Sequence, residues 1–185
     1  MAFFHFPFGK ITKNNSSLSF NGFTLIEVLG VLLLMSILSL IAVPSFQEWQ
    51  ERNAFKSFAT RTAALAKESR IHALTEGKTV YLITQINSEQ CILISEDKSC
   101  TCSTHKSCVV NDAAFWSMPT LFKMKLKTSN GEDKTLAFNR NGSLNFGDST
   151  TFTLTSQRYK ASVIINTLGR VKLCSFQPFV GIAQC

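Results

Sequence analysis

The chain has 185 residues, 45% of them hydrophobic, and its 19 Lys and Arg against 12 Asp and Glu give a formal net charge of +7. This length allows one modest domain beside any membrane segment, and the apolar content suffices for a core, so a second domain is not expected. The sequence contains no glycine-rich phosphate loop, no His-Glu-x-x-His and no Gly-x-Ser-x-Gly, and its three histidines indicate no pairing of nucleophile and base. We therefore predict a protein that is not an enzyme and that holds no cofactor.

The first strong feature along the chain is an apolar run with one acid in it. Residues 23–46 supply about the 20 mostly apolar positions that a membrane-spanning helix needs, and their only charged residue is Glu27. An ionised carboxylate inside a bilayer costs roughly 2.5–3.5 kcal/mol, so such a residue normally has a partner and a function. A secretory signal peptide does not fit, because its apolar stretch is short and is followed by a small-residue cleavage site. Cleavage in front of the run fits better.

Gly22 followed by Phe-Thr-Leu-Ile-Glu-Val resembles the processing site of type IV prepilins and type II secretion pseudopilins. The resemblance implies that a prepilin peptidase cuts between Gly22 and Phe23 and methylates the new amine of Phe23. It also implies that Glu27 pairs with the N-terminal amine of a neighbouring subunit during filament assembly, so that two charges offset each other's burial. Pro44 fits too, since pilins commonly carry a helix-kinking proline at this distance from the cut.

The same resemblance makes residues 1–22 a leader peptide that is removed. This leader is longer than expected for the family, and its last basic residue, Lys13, lies well before the cut. Its removal deletes Lys10 and Lys13 but no acid, so the formal charge falls from +7 to +5, which is 17 basic minus 12 acidic residues.

The segment after Pro44 has helix-forming composition. Phe58, Leu65, Ala66 and Ala73 recur at helical spacing, and Gly77 is a plausible C-cap. We predict one long helix, in which residues 23–46 form the transmembrane or filament-core segment. Residues 47–77 then form an amphipathic second half that packs on a domain.

From Thr79 onward, short runs of β-branched and aromatic residues predict strands. Two Asn-Gly pairs, at 130–131 and 141–142, favour tight hairpin turns. Residues 78–185 are therefore expected to form an antiparallel β-sheet domain, which with the helix makes the fold α+β. The predicted strands are residues 79–86, 91–95, 121–128, 134–139, 151–156, 160–166 and 169–174.

Residues 136–174 further resemble the C-terminal half of the GspH/FimT-type minor pilin domain, which ends in a strand, a Gly-Arg pair and often a cysteine. The resemblance implies a type IV pilin-like fold, with the first half of the helix transmembrane and the second half packed on the sheet. It places the chain in the bacterial inner membrane as a single-pass protein with its C-terminal domain in the periplasm, and later in a pilus at the cell surface. Other major and minor pilins would be its partners.

Six cysteines follow the apolar run, which places them in the oxidising periplasm when the basic leader stays inside. Disulfides are the expected state. Cys174 and Cys185 are predicted to pair, because both lie in the last strand and tail, where a bridge would fix a terminus that otherwise frays. The other four cysteines, at positions 91–108, would pair with one another, and the sequence leaves open which pairs form. They are Cys91, Cys100, Cys102 and Cys108.

A zinc site is the alternative for this cysteine cluster. Three thiols and the imidazole of His105 lie close together in the sequence, but their spacing is not one of the usual zinc-finger spacings. In an exported protein with an even number of cysteines, disulfides are favoured over metal, so no metal site is predicted.

Basic residues dominate the end of the chain, where no acid follows Asp148. Alternation along a strand places Arg170 and Lys172 on one face, and Arg158 and Lys160 repeat the arrangement. Lysines with the same spacing form a secondary set, which lies near the acids Glu132 and Asp133. This set consists of Lys123, Lys125 and Lys127.

Rows of cations can contact successive phosphates, and counterion release then supplies affinity for double-stranded DNA without reading its sequence. The FimT members of the resembled family, which are associated with natural transformation, carry a DNA-binding Gly-Arg-x-Arg motif near the C-terminus. Its counterpart here is Gly169, Arg170, Val171 and Lys172, where the final lysine keeps the charge but loses the bidentate fork of arginine. Weaker binding is therefore expected.

Two functions remain open at this point. The first is a FimT-like minor pilin that binds DNA for uptake by competent cells. The second is a structural minor pilin, or a GspH-like type II secretion pseudopilin, that primes filament assembly without binding DNA. The second is compatible with the lysines because solvent-facing lysines also keep a sheet soluble and its edges unpaired.

Overall fold

The computed structural model describes residues 22–87 and 89–185. They fall into two compact units, one ending at Val43 and the other running from Pro44 to Cys185. Apart from Gly22, the predicted leader lies outside the described residues.

Helix α1 runs from Leu25 to Glu76 and contains Pro44. Gly77 follows it at a φ of +64°, the left-handed conformation that commonly ends a helix, as the sequence predicts. Within the second unit, one face of α1 is buried, including the four residues identified from their helical spacing, Phe58, Leu65, Ala66 and Ala73.

Nine strands lie in the described residues, and they form two sheets where the sequence indicates a single one. The first sheet has the order β3-β2-β1-β5 and is antiparallel throughout. The second has the order β4-β6-β7-β8-β9 and is antiparallel except for the parallel pair β8 and β9. The strands are β1 (Val80–Gln85), β2 (Cys91–Ser95), β3 (Phe115–Ser117), β4 (Lys125–Lys127), β5 (Lys134–Phe138), β6 (Thr150–Thr155), β7 (Lys160–Ile165), β8 (Val171–Ser175) and β9 (Ala183–Gln184).

Both sheets share one apolar core with the buried face of α1. The Phe58 ring packs on Trp116 beside the first sheet, with 5.4 Å between ring centroids. The Phe55 ring stacks on Tyr159 next to the second sheet, at 5.7 Å. Burial alternates along β6, where Phe152 and Leu154 point into the core, as expected of a sheet with one solvated face.

The two predicted hairpins are wrong. Gly131 and Gly142 do adopt the positive φ of +71° and +70° that an Asn-Gly turn allows. However, β4 pairs with β6 and β5 pairs with β1, so each turn carries the chain from one sheet to the other. Turn residues determine the local reversal, whereas the burial of apolar side chains decides which strands pair.

The predicted strand over 121–128 is interrupted. Phe122 and Lys123 have φ values of 55° and 52°, and residues Leu121–Lys123 form a 3-10 turn, so only Lys125–Lys127 pair as a strand. A left-handed backbone cannot continue the extended alternation that the sequence pattern implies.

The six cysteines form three disulfides: Cys174–Cys185, the pairing expected from the sequence, and Cys91–Cys102 and Cys100–Cys108. The last two bridges hold residues 91–108, including the short helix α2 (His105–Cys108), against the first sheet. Ile83 and Leu93 are buried beneath the bridges in a second apolar cluster. This layer explains why β2 is buried on both faces and shows no alternation.

A buried carboxylate fixes the turn between β6 and β7 to α1. Glu51 is 2% exposed, and its Oε1 accepts hydrogen bonds from Ser156 Oγ (2.8 Å) and from the backbone N–H of Arg158 (3.1 Å). Its Oε2 lies 3.7 Å from Arg158 Nε. These partners offset the cost of burying the Glu51 charge, and they tie the turn to the helix.

Replacing Glu51→Ala should lower the free energy of unfolding by about 2–3 kcal/mol, since the charge-assisted hydrogen bonds from Ser156 and Arg158 to a buried carboxylate are lost. Urea unfolding of the oxidised Pro44–Cys185 fragment measures this loss. Glu48→Ala is the matched control, because Glu48 also contacts Arg158 (3.4 Å) but is exposed, and its loss should cost about 1 kcal/mol or less. Equal losses for the two variants would show that burial of Glu51 is not what matters.

Candidate functional site

The first unit presents an apolar helix surface with no apolar partner in the described residues. Leu32, Leu33, Leu34 and Met35 are consecutive on α1, and each is 60–63% exposed. Four consecutive residues cover all sides of a helix, so no single face is buried. Helix α1 is long and apolar enough to cross a membrane.

Gly22, Phe23 and Glu27 lie at the start of this segment. Phe23 is 80% exposed, and nothing lies within 4 Å of the position that a Cβ on Gly22 would take. The backbone N–H of Glu27 donates to Thr24 O (3.1 Å) and Thr24 Oγ1 (3.3 Å). Thr24 is thus the N-cap of α1, a role that sequence reasoning missed although Thr-x-x-Glu is its usual signal.

The side chain of Glu27 makes no ion pair with another described residue. An acid in the first helical turn is favoured by the helix dipole, which accounts for the tolerance of the charge at this position. Its carboxylate is exposed at the helix start, next to the predicted cleavage site.

The second sheet carries four exposed lysines on its outer face. Lys125 is opposite Thr155, which is opposite Lys160, and one row further Lys127 is opposite Thr153. Lys172 lies across from Ile164 on β7. Directly opposite residues point to the same side of a sheet, so the four lysines share the side that faces away from α1. We call the set Lys125, Lys127, Lys160 and Lys172 the lysine face.

The strands of this sheet supply no acidic side chain to the lysine face. Strands β4, β6, β7, β8 and β9 contain no Asp or Glu. Strands lie about 4.8 Å apart, so Lys125 and Lys160, two strands apart, have their Cα atoms about 10 Å apart. Lys160 Nζ sits 4.7 Å from the centroid of the exposed Phe176 ring.

Two of the predicted cations do not belong to this face. Arg158 precedes β7 and is held in ion pairs with Glu48 and Glu51, at 3.4 Å and 3.7 Å. Lys123 lies in the 3-10 turn, where its positive φ removes it from the alternation of Lys125 and Lys127. Grouping either residue with the strand lysines was therefore wrong.

Gly169 shapes the turn before β8 and is buried. Its φ is +71°, its N–H donates to Asn166 O (2.9 Å), and the N–H of Arg170 donates to Asn166 Oδ1 (2.8 Å). A Cβ at this position would lie 1.9 Å from the carbonyl oxygen of Gly142. Glycine is needed here for close backbone approach, whereas the neighbouring Arg170 of the predicted motif is exposed.

Sequence reasoning missed two further cations beside Arg170. Lys67 and Arg70 of α1 line a groove together with Gly169, Arg170 and Val171. They are about 100 residues away from Arg170 in the chain, and no local signal connects the two segments.

Comparison with known proteins bears on the N-terminal segment first. Residues 19–43 match the family model described as the prokaryotic N-terminal methylation motif. No curated protein matches the chain by sequence. The crystal structure of the type IV minor pilin FimU of Pseudomonas aeruginosa in one space group aligns with a TM-score of 0.54 at 18% identity, covering 70% of this chain and 92% of that one. The chain thus has a type IV pilin-like fold.

A second crystal form of FimU aligns with this pilin-like chain at a TM-score of 0.50 and 17% identity, covering 66% of it and 92% of FimU. At these identities the likeness concerns the fold, and it confirms the predicted long N-terminal helix on an antiparallel β-domain. The methylation motif covers the start of α1, where Gly22, Phe23 and Glu27 lie.

Substituting Gly169→Ala tests the role of this glycine in the pilin-like chain. The variant should lose roughly 1–2 kcal/mol for the left-handed backbone and about 1–3 kcal/mol more for overpacking against Gly142. Gly131→Ala is the matched control, since Gly131 has the same φ of +71° but open space around it, so only the first cost applies. Urea unfolding of both variants gives the difference, and equal losses would rule out the close contact with Gly142.

Proposed function

We propose that the chain is a minor type IV pilin that is cut between Gly22 and Phe23, methylated on Phe23 and incorporated into a filament through the apolar part of α1. The methylation motif at residues 19–43 and the exposed apolar side chains of the helix support this. A prepilin peptidase, the inner membrane and other pilins are then the partners of the N-terminal segment. The β-domain would lie in the periplasm before assembly and on the pilus afterwards.

In this proposal Glu27 receives its counter-charge from the methylated amine of Phe23 on a neighbouring subunit. An acid inside an apolar environment is costly alone, and a buried ion pair recovers part of that cost. The absence of an ion pair to Glu27 among the described residues is what leaves its carboxylate for such a partner.

Glu27→Gln keeps the shape of the side chain and removes its charge. We expect the variant to be cut at the same site as the wild type but to be depleted at least tenfold from sheared filaments. Loss of an ion pair worth about 1.4 kcal/mol would already lower the association constant by a factor of ten. Immunoblots of the filament and envelope fractions measure this. Glu48→Gln, an acid of the same helix in the second unit, should assemble normally, and equal depletion of both variants would contradict the pairing.

We further propose that the domain binds double-stranded DNA, as would serve natural transformation. The observation that carries this proposal is the lysine face, four exposed cations on a sheet whose strands contain no acid. Cations of this spacing can neutralise several phosphates and release counterions without reading base sequence. Arg170 lies two residues before Lys172, in the exposed turn that leads into β8.

A second function is favoured by other exposed groups of the same unit. Leu168, Val180 and Phe146 are 59%, 74% and 103% exposed, so each is available for contact with a protein partner. A structural minor pilin or secretion pseudopilin that primes assembly would use such contacts and would not need DNA.

A DNA titration with matched variants separates the two functions. The Pro44–Cys185 fragment suits it, because this unit is compact and contains its own core and all three disulfides. Binding to a short random duplex is measured by fluorescence anisotropy across a salt series. Removing two phosphate contacts with Lys125→Ala/Lys160→Ala should weaken binding at low salt and flatten the slope of log affinity against log salt by about 1.8.

The control for this titration is Lys98→Ala/Lys106→Ala, which removes the same charge from exposed lysines near the first sheet. It should leave the slope within error of the wild type. Equal effects of the two pairs would mean that only net charge matters. No binding by the folded wild type would leave the structural subunit as the function.

A further inference from the structure

We propose that a groove between α1 and the turn before β8 binds one phosphodiester group of the same DNA, so that the helix contributes to the DNA site. This inference rests on the proposed DNA-binding function and extends it to residues outside the lysine face. The groove has a volume of about 390 Å³ and is lined by Lys67, Arg70, Ile71, Gly169, Arg170 and Val171. We call it the helix–turn groove.

Three cations and no acid line the helix–turn groove. Lys67 and Arg70 are three residues apart on α1, which places their Cβ atoms about 5–6 Å apart on one side of the helix. Arg170 approaches from the opposite wall. Like charges held this close repel one another, and an anion between them would remove that repulsion.

Arg70 is held in place for such an anion. Its Nε donates a hydrogen bond to the carbonyl oxygen of Gly142 (3.1 Å), and the side chain is partly buried. In the described part of the chain, its two terminal nitrogens and the side chains of Lys67 and Arg170 make no hydrogen bond or ion pair. A fixed guanidinium with unused N–H donors matches the geometry of a phosphate.

The opposite wall is fixed as well. Arg170 follows the turn that Asn166 Oδ1 and the close contact of Gly169 with Gly142 hold together. Since Arg70 donates to the same Gly142 carbonyl group, one peptide unit positions both walls of the groove. The groove therefore needs little rearrangement to accept a ligand, which lowers the entropic cost of binding.

The position of the groove favours a nucleic acid over an acidic protein segment. Arg170 and Lys172 are two residues apart, about 6.6 Å along an extended chain, so the groove on the helix side and the lysine face on the far side of the sheet meet at the start of β8. A polyanion with regularly repeated phosphates can occupy both regions, whereas a single carboxylate fills only the groove. Ile71 and Val171 supply an apolar floor that can contact deoxyribose.

Lys67→Ala is the variant that tests the groove, because Lys67 is exposed and its side chain makes no described hydrogen bond or ion pair, so the fold should be unaffected. In the anisotropy titration of the Pro44–Cys185 fragment it should flatten the salt slope by about 0.9, the effect of one phosphate. Lys56→Ala, a lysine of the same helix that does not line the groove, is the control and should change nothing. If Lys67 and Arg170 hold one phosphate, the double alanine variant should lose less affinity than the two single losses combined.

The outcomes separate the two proposals. If the wild type binds DNA and Lys67→Ala behaves as Lys56→Ala does, the groove is overturned while DNA binding by the lysine face stands. If the wild type does not bind, both proposals fail. Backbone amide NMR shifts of Gly169 and Arg170 give a second readout: they should move on titration with the duplex, and a shift with a polyglutamate peptide but none with DNA would assign the groove to an acidic protein instead.

Discussion

The structure of the domain depends on one interaction, the packing of both sheets on a single face of α1. Phe55 and Phe58 are 0% and 1% exposed and contact aromatic side chains next to different sheets. Each such ring contributes roughly 1.5–3 kcal/mol by burial. Because the two sheets share this core, the turns at Gly131 and Gly142 can exchange the chain between them, and the close approach of Gly142 and Gly169 fixes the start of β8 beside the helix. The cations of the helix–turn groove occupy their positions for the same reason.

The part of α1 from Leu25 to Ser39 has the opposite property, since its apolar side chains are exposed on all sides. A surface of this kind is stable only in lipid or against other apolar helices. In the function we propose, the subunit meets both environments in turn, first in the membrane and then in a filament, and Glu27 would pair with the amine of a neighbouring subunit in the filament. Under this proposal the same helix supplies part of the domain core and the segment by which subunits associate.

Much of this could be predicted from the sequence where local patterns carry the signal. The uncharged run after Glu27, the helical spacing of Phe58 and Leu65, and Gly77 as the helix end are all local, and the structure agrees with each. The exchange of strands between two sheets was not predictable from the Asn-Gly turns, because pairing depends on burial between distant segments. Lys123 does not follow the predicted alternation because it lies in a left-handed turn. Arg158 is instead paired with Glu51, which lies 107 residues away in the sequence. Lys67 and Arg70 meet Arg170 only in the folded domain, so no spacing rule could join them.

The central claim is that the apolar start of α1 is retained as an assembly segment after cleavage in front of it. Mass spectrometry of the N-terminal peptide tests this most directly, on the full chain isolated from cell envelopes with and without a prepilin peptidase. The account predicts a peptide that begins at Phe23 and carries one added methyl group when the peptidase is present, and an uncut chain when it is absent. A mature chain that begins after Val43, or one that keeps residues 1–22 in the presence of an active peptidase, would contradict it.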